Sequence, residues 1–273
     1  MTTAIDGGSV LVTGASSGIG MAIARLVAPR AKTLVLVARR VQRLESLREE
    51  LSKANGGLRV EVIACDLCDR EQTRRLSAEV VSRGIDVDVL VNNAGVGLMG
   101  AFDRADPERL VDMIELNVTS LTLLTRAFLP RMIERGRGGV LNISSGFGVA
   151  VMPSFAAYIA TKHFVTGLNE ALVADLAGTG VIATQVCPGP VATEFEQQIG
   201  NYTGMKAPAL IEITAERCAR AAIRGFDQGR ALVVPGILMK LVLLLNGLSP
   251  RFMRRIVAAF LGKIARRKEL GAA

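Results

Sequence analysis

Short apolar runs rich in β-branched residues recur along this chain at intervals that each admit one helix. No other feature restricts its fold as strongly. The runs fall at 9–13, 33–37, 60–64, 88–91, 139–144, 181–186 and 231–234. Helix-length segments separate them, among them 19–27, 41–53, 71–83, 107–133 and 154–177. Strands that are apolar on both faces must be covered on both, and crossover helices between parallel strands do this. The expected fold class is α/β, a doubly wound parallel sheet of seven strands with helices on both faces. No Pro- or Ser-rich linker, charge run or internal repeat divides residues 1–236, which read as one domain.

Composition fits that core. Half of the 273 residues are apolar, only 4% are aromatic and Trp is absent. Val, Leu, Ile and Ala therefore fill the interior, and a disordered chain or a disulfide scaffold is excluded. The four cysteines, Cys65, Cys68, Cys187 and Cys218, are dispersed. Residues 1–8 lack the basic start and apolar core of an export signal, so a reducing cytoplasm is the expected compartment. Cys65 and Cys68 form a C-x-x-C, but without the helix-opening context of a redox motif. Net charge is +8, and eight basic residues against the single acid Glu269 lie beyond residue 236. The body of the chain is close to neutral, which argues against a nucleic-acid footprint.

The first strand runs into Thr13-Gly14-Ala15-Ser16-Ser17-Gly18-Ile19-Gly20. Small residues between a strand and a helix let the backbone approach a pyrophosphate and seat it at the helix N-terminus. In that context the turn predicts a single-domain Rossmann fold and a dinucleotide ligand. The end of the second strand, about 20 residues further on, sets which dinucleotide binds. An NAD site places a carboxylate there for the ribose hydroxyls. This chain reads Val37-Ala38-Arg39-Arg40, with Glu45 the next acid. Guanidinium groups suit a 2′-phosphate, so Arg39 and Arg40 point to NADP(H).

Tyr158-Ile159-Ala160-Thr161-Lys162 sits near the start of the long helical segment at 154–177. Residues four apart share a helix face, so an ammonium can lie beside a phenol. Bringing a phenol from a pKa of ~10 to near 7 takes ~4 kcal/mol of preferential phenolate stabilisation. A neighbouring cation in a water-poor cleft can supply that.

With these landmarks the chain resembles the short-chain dehydrogenases/reductases of the common single-domain type. The resemblance rests on 13–20, Asp66-Leu67, Asn92-Asn93-Ala94-Gly95, Asn117, Ser144-Ser145, Tyr158/Lys162 and Pro188-Gly189-Pro190-Val191-x-Thr193, in that order. It implies that Tyr158 is the general acid in reduction and the base in oxidation. It implies that Lys162 holds the nicotinamide ribose and lowers the phenol pKa, and that Ser145 hydrogen-bonds the substrate oxygen. Asn117 would bend its helix around a proton-relaying water. Asp66 and Leu67 would meet adenine, and Asn93, Ala94 and Gly95 would line the cofactor cleft. Pro188, Gly189, Val191 and Thr193 would pass the nicotinamide. His163, the only histidine, falls off the Tyr158 face and reads as a packed or partly exposed residue. No metal constellation exists, and the family uses none for its chemistry.

The segment 194–210, with Gly200, Gly204 and Pro208, reads as a lid over the substrate. Beyond Pro235-Gly236, residues 237–245 are apolar on nearly every face, and 251–267 form an amphipathic pattern with basic residues. Neither reaches the ~20 residues of a membrane span. This C-terminal extension, 237–273, has three readings: an added layer of core or subunit contact, a wall for a greasy substrate, or a helix at a membrane surface. It is loosely similar to the tails of acyl and ketoacyl reductases. The leading expectation is NADPH-dependent reduction of an apolar or 3-oxoacyl ketone by a homodimer or homotetramer. Oxidation of a steroid-like alcohol, or a non-catalytic dinucleotide sensor, are the alternatives.

Overall fold

The computed structural model describes residues 3–195, 199, 200 and 210–271. Seven strands form one parallel sheet: β1 (Ser9–Thr13), β2 (Thr33–Ala38), β3 (Arg59–Ala64), β4 (Val89–Asn92), β5 (Gly138–Ile143), β6 (Val181–Val186) and β9 (Leu232–Val233). Their order is β3-β2-β1-β4-β5-β6-β9, so the sheet is wound outward in both directions from β1 and β4. The expected seven-stranded doubly wound sheet is what the chain forms. A separate two-stranded parallel pair, β7 (Val191–Ala192) with β8 (Ile213–Thr214), was not legible as strand.

Alternate residues of each strand feed two cores. Val10, Val12, Leu34, Leu36, Val89 and Val91 pack on one face, under α1 (Gly18–Val27), α2 (Val41–Ala54) and α7 (Ala215–Asp227). Leu11, Val35, Val37 and Leu90 pack on the other, under α3 (Arg70–Ser82) and α5 (Leu121–Glu134). The alternation follows from the period of two along an extended strand, and it accounts for strands that look uniformly apolar in sequence. α6 (Ala156–Asp175) covers the same second face near β5 and β6.

The helical segment expected at 107–133 is not one regular helix. α4 (Pro107–Ile114) passes through a π-helical turn, Glu115–Ser120, into α5. One such turn inserts an extra residue and reorients the side chains on it, and Asn117 lies there. The tail forms two helices, α8 (Ile237–Leu248) and α9 (Arg251–Gly271). Among the described residues, no helix is long and apolar enough to cross a membrane.

Candidate active site

The sheet reverses its winding between β1 and β4, and doubly wound sheets bind their ligands in the crevice beyond the carboxyl ends of such strands. Thr13 closes the base of this crevice. Its hydroxyl donates to Val91 O (3.2 Å) and accepts from the backbone N–H groups of Asn93 and Ala94, each at 3.0 Å. The Asn93 amide donates to Thr13 O at 2.9 Å and Gly14 O at 3.3 Å, locking the β4 exit against the glycine turn.

The turn itself leaves room for a ligand backbone and nothing else. Gly14 and Gly18 have φ of +65° and +55°, which L side chains rarely adopt. A Cβ on Gly20 would lie 2.4 Å from Asn93 Nδ2 and 2.5 Å from Gly14 O. Ser17 occupies the N-cap of α1 without capping it through its side chain, and no acid stands in the first turn. The amide groups there and the positive end of the helix dipole suit a pyrophosphate. Ile19 packs partly buried against the core below. Thr193 closes the turn from the far side, its Cγ2 3.1 Å from where a Gly18 Cβ would stand.

The two arginines at the end of β2 diverge. Arg39 is 65% exposed, and its guanidinium stands 3.7 Å from Asp66. Arg40 folds back over the glycine turn, donating to Ser16 Oγ (3.1 and 3.2 Å) and Ser17 Oγ (2.8 Å). It also donates to Glu194 at 2.7 Å, and Arg43 reaches the other oxygen of the same carboxylate at 2.5 Å. Arg40, then Arg43, hold the Glu194 carboxyl at about 2. Asp66 accepts from Cys68 N, and Leu67 is buried in the core beneath it. The Cys65 and Cys68 thiols are raised by burial to about 12 and about 11, the opposite of a reactive thiolate.

On the other side of the crevice, α6 brings Tyr158 and Lys162 into the interior, 5% and 6% exposed. The Lys162 ammonium donates to Ile143 O at 3.0 Å and lies 5.8 Å from the centre of the Tyr158 ring. Burial pulls it down to about 8. Burial pushes the Tyr158 phenol up to about 12, with a hydrogen bond from the Ser145 hydroxyl region pulling the other way. Ser145 stands two residues beyond β5 and caps the short turn Gly146–Gly148, accepting from Phe147 N at 3.1 Å. Gly146 N donates to Pro188 O, which ties the Ser145 turn to the 188–193 loop. Asn117 clamps the β4 exit to α6. Its amide donates to Val96 O (2.8 Å) and Thr161 Oγ1 (3.1 Å), and its carbonyl accepts from Val96 N. Gly95 sits between Asn117 and Lys162, where a Cβ would lie 3.2 Å from Asn117 Oδ1 and 3.5 Å from Nζ. His163 is at the surface, with Nδ1 3.0 Å from Ile159 O.

Around the phenol stands an aromatic wall that sequence reasoning did not assign. Phe147 meets Tyr158 edge-on at 6.2 Å, Phe195 lies 5.7 Å from it, and Phe155 packs against Phe147 and Tyr158 at 5.1 and 6.3 Å. Phe195 follows Glu194 in the expected lid, so the residue over the phenol adjoins the one held by Arg40. Gly204, Pro208 and most of that lid lie outside the described residues. Val191 and Ala192 pair with β8, and Met239 of α8 lies against Gly189 and Gly146. None of these long-range neighbours has a spacing signal in the chain.

A glycine turn open at a helix N-terminus, joined to a buried phenol and ammonium and a partly buried serine, defines an oxidoreductase that works on a bound nicotinamide dinucleotide. The family described as short chain dehydrogenase matches residues 9–203. A protein of Streptomyces violaceoruber, named a ketoacyl reductase of the granaticin polyketide synthase, is 39% identical over 71% of this chain and 72% of its own. A short-chain dehydrogenase of Sphingobium yanoikuyae, solved with NADPH, superposes with a TM-score of 0.77 at 32% identity, covering 84% of this chain and 88% of its own. A Burkholderia phymatum relative solved with NAD superposes with a TM-score of 0.76 at 25% identity over 89% and 93%. The chain belongs to the short-chain dehydrogenase family and is an NAD(P)-dependent oxidoreductase.

Proposed function

We propose that this enzyme reduces apolar ketones of the 3-oxoacyl type with NADPH, using Tyr158 as proton donor. The observation that carries the reading is the Tyr158 phenol, held protonated by burial, between the Ser145 side and a wall of Phe147, Phe155 and Phe195. Such a site accepts a carbonyl oxygen at two hydroxyls and an apolar chain against the rings.

Gly14, Ser16, Ser17, Gly18, Ile19 and Gly20 would hold the pyrophosphate, with Asn93, Ala94 and Gly95 along the crevice floor. Asp66 and Leu67 would border adenine, and Pro188, Gly189, Val191 and Thr193 the nicotinamide. Arg40 would hold the 2′-phosphate, since it already bonds both serines of the turn, and Arg39 would lie at the adenine edge. The bound dihydronicotinamide supplies the hydride. Ser145 and Tyr158 polarise the carbonyl, and Tyr158 passes its proton to the oxygen as the alcohol forms. The Lys162 ammonium then stabilises the phenolate, and Asn117 holds α6 through the Thr161 hydroxyl, one residue before Lys162. The name carried by the Streptomyces violaceoruber relative supports the 3-oxoacyl substrate class.

The test is Tyr158→Phe, assayed with NADPH and 3-oxoacyl thioesters of increasing chain length. NADPH binding should survive, and turnover should fall by about 100-fold or more. Turnover within a few-fold of the wild type would remove Tyr158 from the chemistry.

A further inference from the structure

The two tail helices lie beyond the residues matched by the family; α8 sets Met239 and Leu243 against Gly146, whereas α9 meets the body through its small side. Ala265 is buried, and Gly262 rests against Pro153, where a Cβ would stand 3.8 Å from the ring. Arg266 bonds Asp103 through its two terminal guanidinium nitrogens, and Asn246 donates to Val149 O at 3.0 Å. The large apolar residues of α9 point the other way, and on α8 Leu241, Leu244, Leu245 and Leu248 are likewise exposed. Phe252, Met253, Ile256, Val257 and Phe260 are between 49% and 65% exposed. A surface helix ordinarily turns that face inward, and here the orientation is reversed.

Lys263 and Arg267 rise within this outward face, three and seven residues beyond Phe260, and both are exposed. Long basic stems over an apolar surface suit a boundary where the chains enter hydrocarbon and the charges meet anionic headgroups. A second copy is a poor cover for the same face. It would bring eight further basic residues against the first eight, with only Glu269 from each tail to offset them. The surface also continues onto the body. Phe102 and Val151, 63% and 65% exposed, adjoin the Asp103 and Pro153 contacts, and Val151 lies on the loop that starts at Ser145.

We propose that the outward face of α8 and α9 docks on an anionic bilayer and brings the loop between Ser145 and Pro153 to the lipid boundary. The chain contains no Trp, so Phe260→Trp in the full-length protein is a single reporter. Vesicles of phosphatidylcholine with phosphatidylglycerol should blue-shift its emission, and brominated acyl chains should quench it. Binding to phosphatidylcholine alone should be at least ten-fold weaker, and high salt should weaken binding to the anionic vesicles. A triple variant, Phe252→Ser with Ile256→Ser and Phe260→Ser, should lose co-sedimentation while still binding NADPH. An unshifted reporter with both vesicle types overturns the proposal. So does a reporter that shifts with protein concentration alone, with a dimer mass by light scattering, because a second copy then covers the face. None of these readouts depends on the substrate proposed above.

Discussion

Replacing Lys162 with Met should stabilise the apo protein while destroying its chemistry. The ammonium is buried and drawn down to about 8 from an ordinary 10.5. At ~1.4 kcal/mol per pH unit, holding it charged inside costs about 3 kcal/mol at neutral pH. Met is nearly as long and needs no solvation. Ile143 O loses the donor now at 3.0 Å, which returns about 1 kcal/mol of cost. The net gain is therefore about 2 kcal/mol, or about 4–8 °C in Tm for a chain of this size. The sign with pH follows from the lowered value. Between about 8 and 10.5 the unfolded chain binds a proton that the folded chain has released, so wild-type stability rises through that window. The advantage of Lys162→Met is full below pH 8 and exhausted at about pH 9.5. By about 10.5 it has reversed to about 1 kcal/mol in favour of the wild type, which by then has lost the whole cost of its buried charge and keeps the bond to Ile143. Denaturant unfolding at pH 7 and pH 9.5 measures it. A variant less stable than wild type at pH 7, or a gap that is the same at both pH values, would refute a buried, desolvated charge at this position.

Arg40→Ala should weaken NADPH about 10- to 100-fold and leave NADH nearly unchanged, the loss expected when charge-assisted bonds to a phosphate are removed. Arg39→Ala should do much less, and the reverse ranking by fluorescence titration would move the phosphate site to Arg39. Glu194→Gln should tighten NADPH about two- to five-fold, because a half-exposed ion pair no longer competes for Arg40. Equal affinities for wild type and variant would show that Glu194 does not compete. Gly20→Ala should cost about 1–3 kcal/mol and weaken both dinucleotides, since its methyl group meets Asn93 and Gly14. Gly56→Ala, with nothing within 4 Å, is the control that should leave Tm unchanged or raise it.

The parts of the fold that could be read from the chain are those governed by local periodicity. Strand runs such as 9–13 and 181–186 alternate their side chains between two covered faces, and that pattern survives in one dimension. The glycine turn was readable for a similar reason: Gly14 and Gly18 sit at backbone angles other residues avoid. Tyr158 and Lys162 share a helix face, so their spacing carried their neighbourhood. The two-stranded pair of Val191–Ala192 with Ile213–Thr214 was too short to show a period. The bonds from Arg40 and Arg43 to Glu194 join residues more than 150 positions apart, and Phe147 and Phe195 reach Tyr158 only through the fold. The tail illustrates a different limit. Its pattern shows an amphipathic helix, and only the seating of Gly262 and Ala265 shows which side faces the protein.

The site divides its charges in a way that bears on what it can bind. Along the cofactor side run the open amide end of α1 and the Arg40 guanidinium over Ser16 and Ser17, all suited to phosphate. Across from them the surface is aromatic and aliphatic, from Phe147 and Phe195 to Met239. Lys162 stands between the two, the charge that burial makes costly and that a phenolate would need. A polar substrate would gain little against those rings and would lose its own hydration there. An apolar ketone exposes one polar atom, and the hydroxyls of Ser145 and Tyr158 are the groups positioned to satisfy it. On the proposed function, the substrate side would select through what it leaves unsolvated, and the cofactor side through charge.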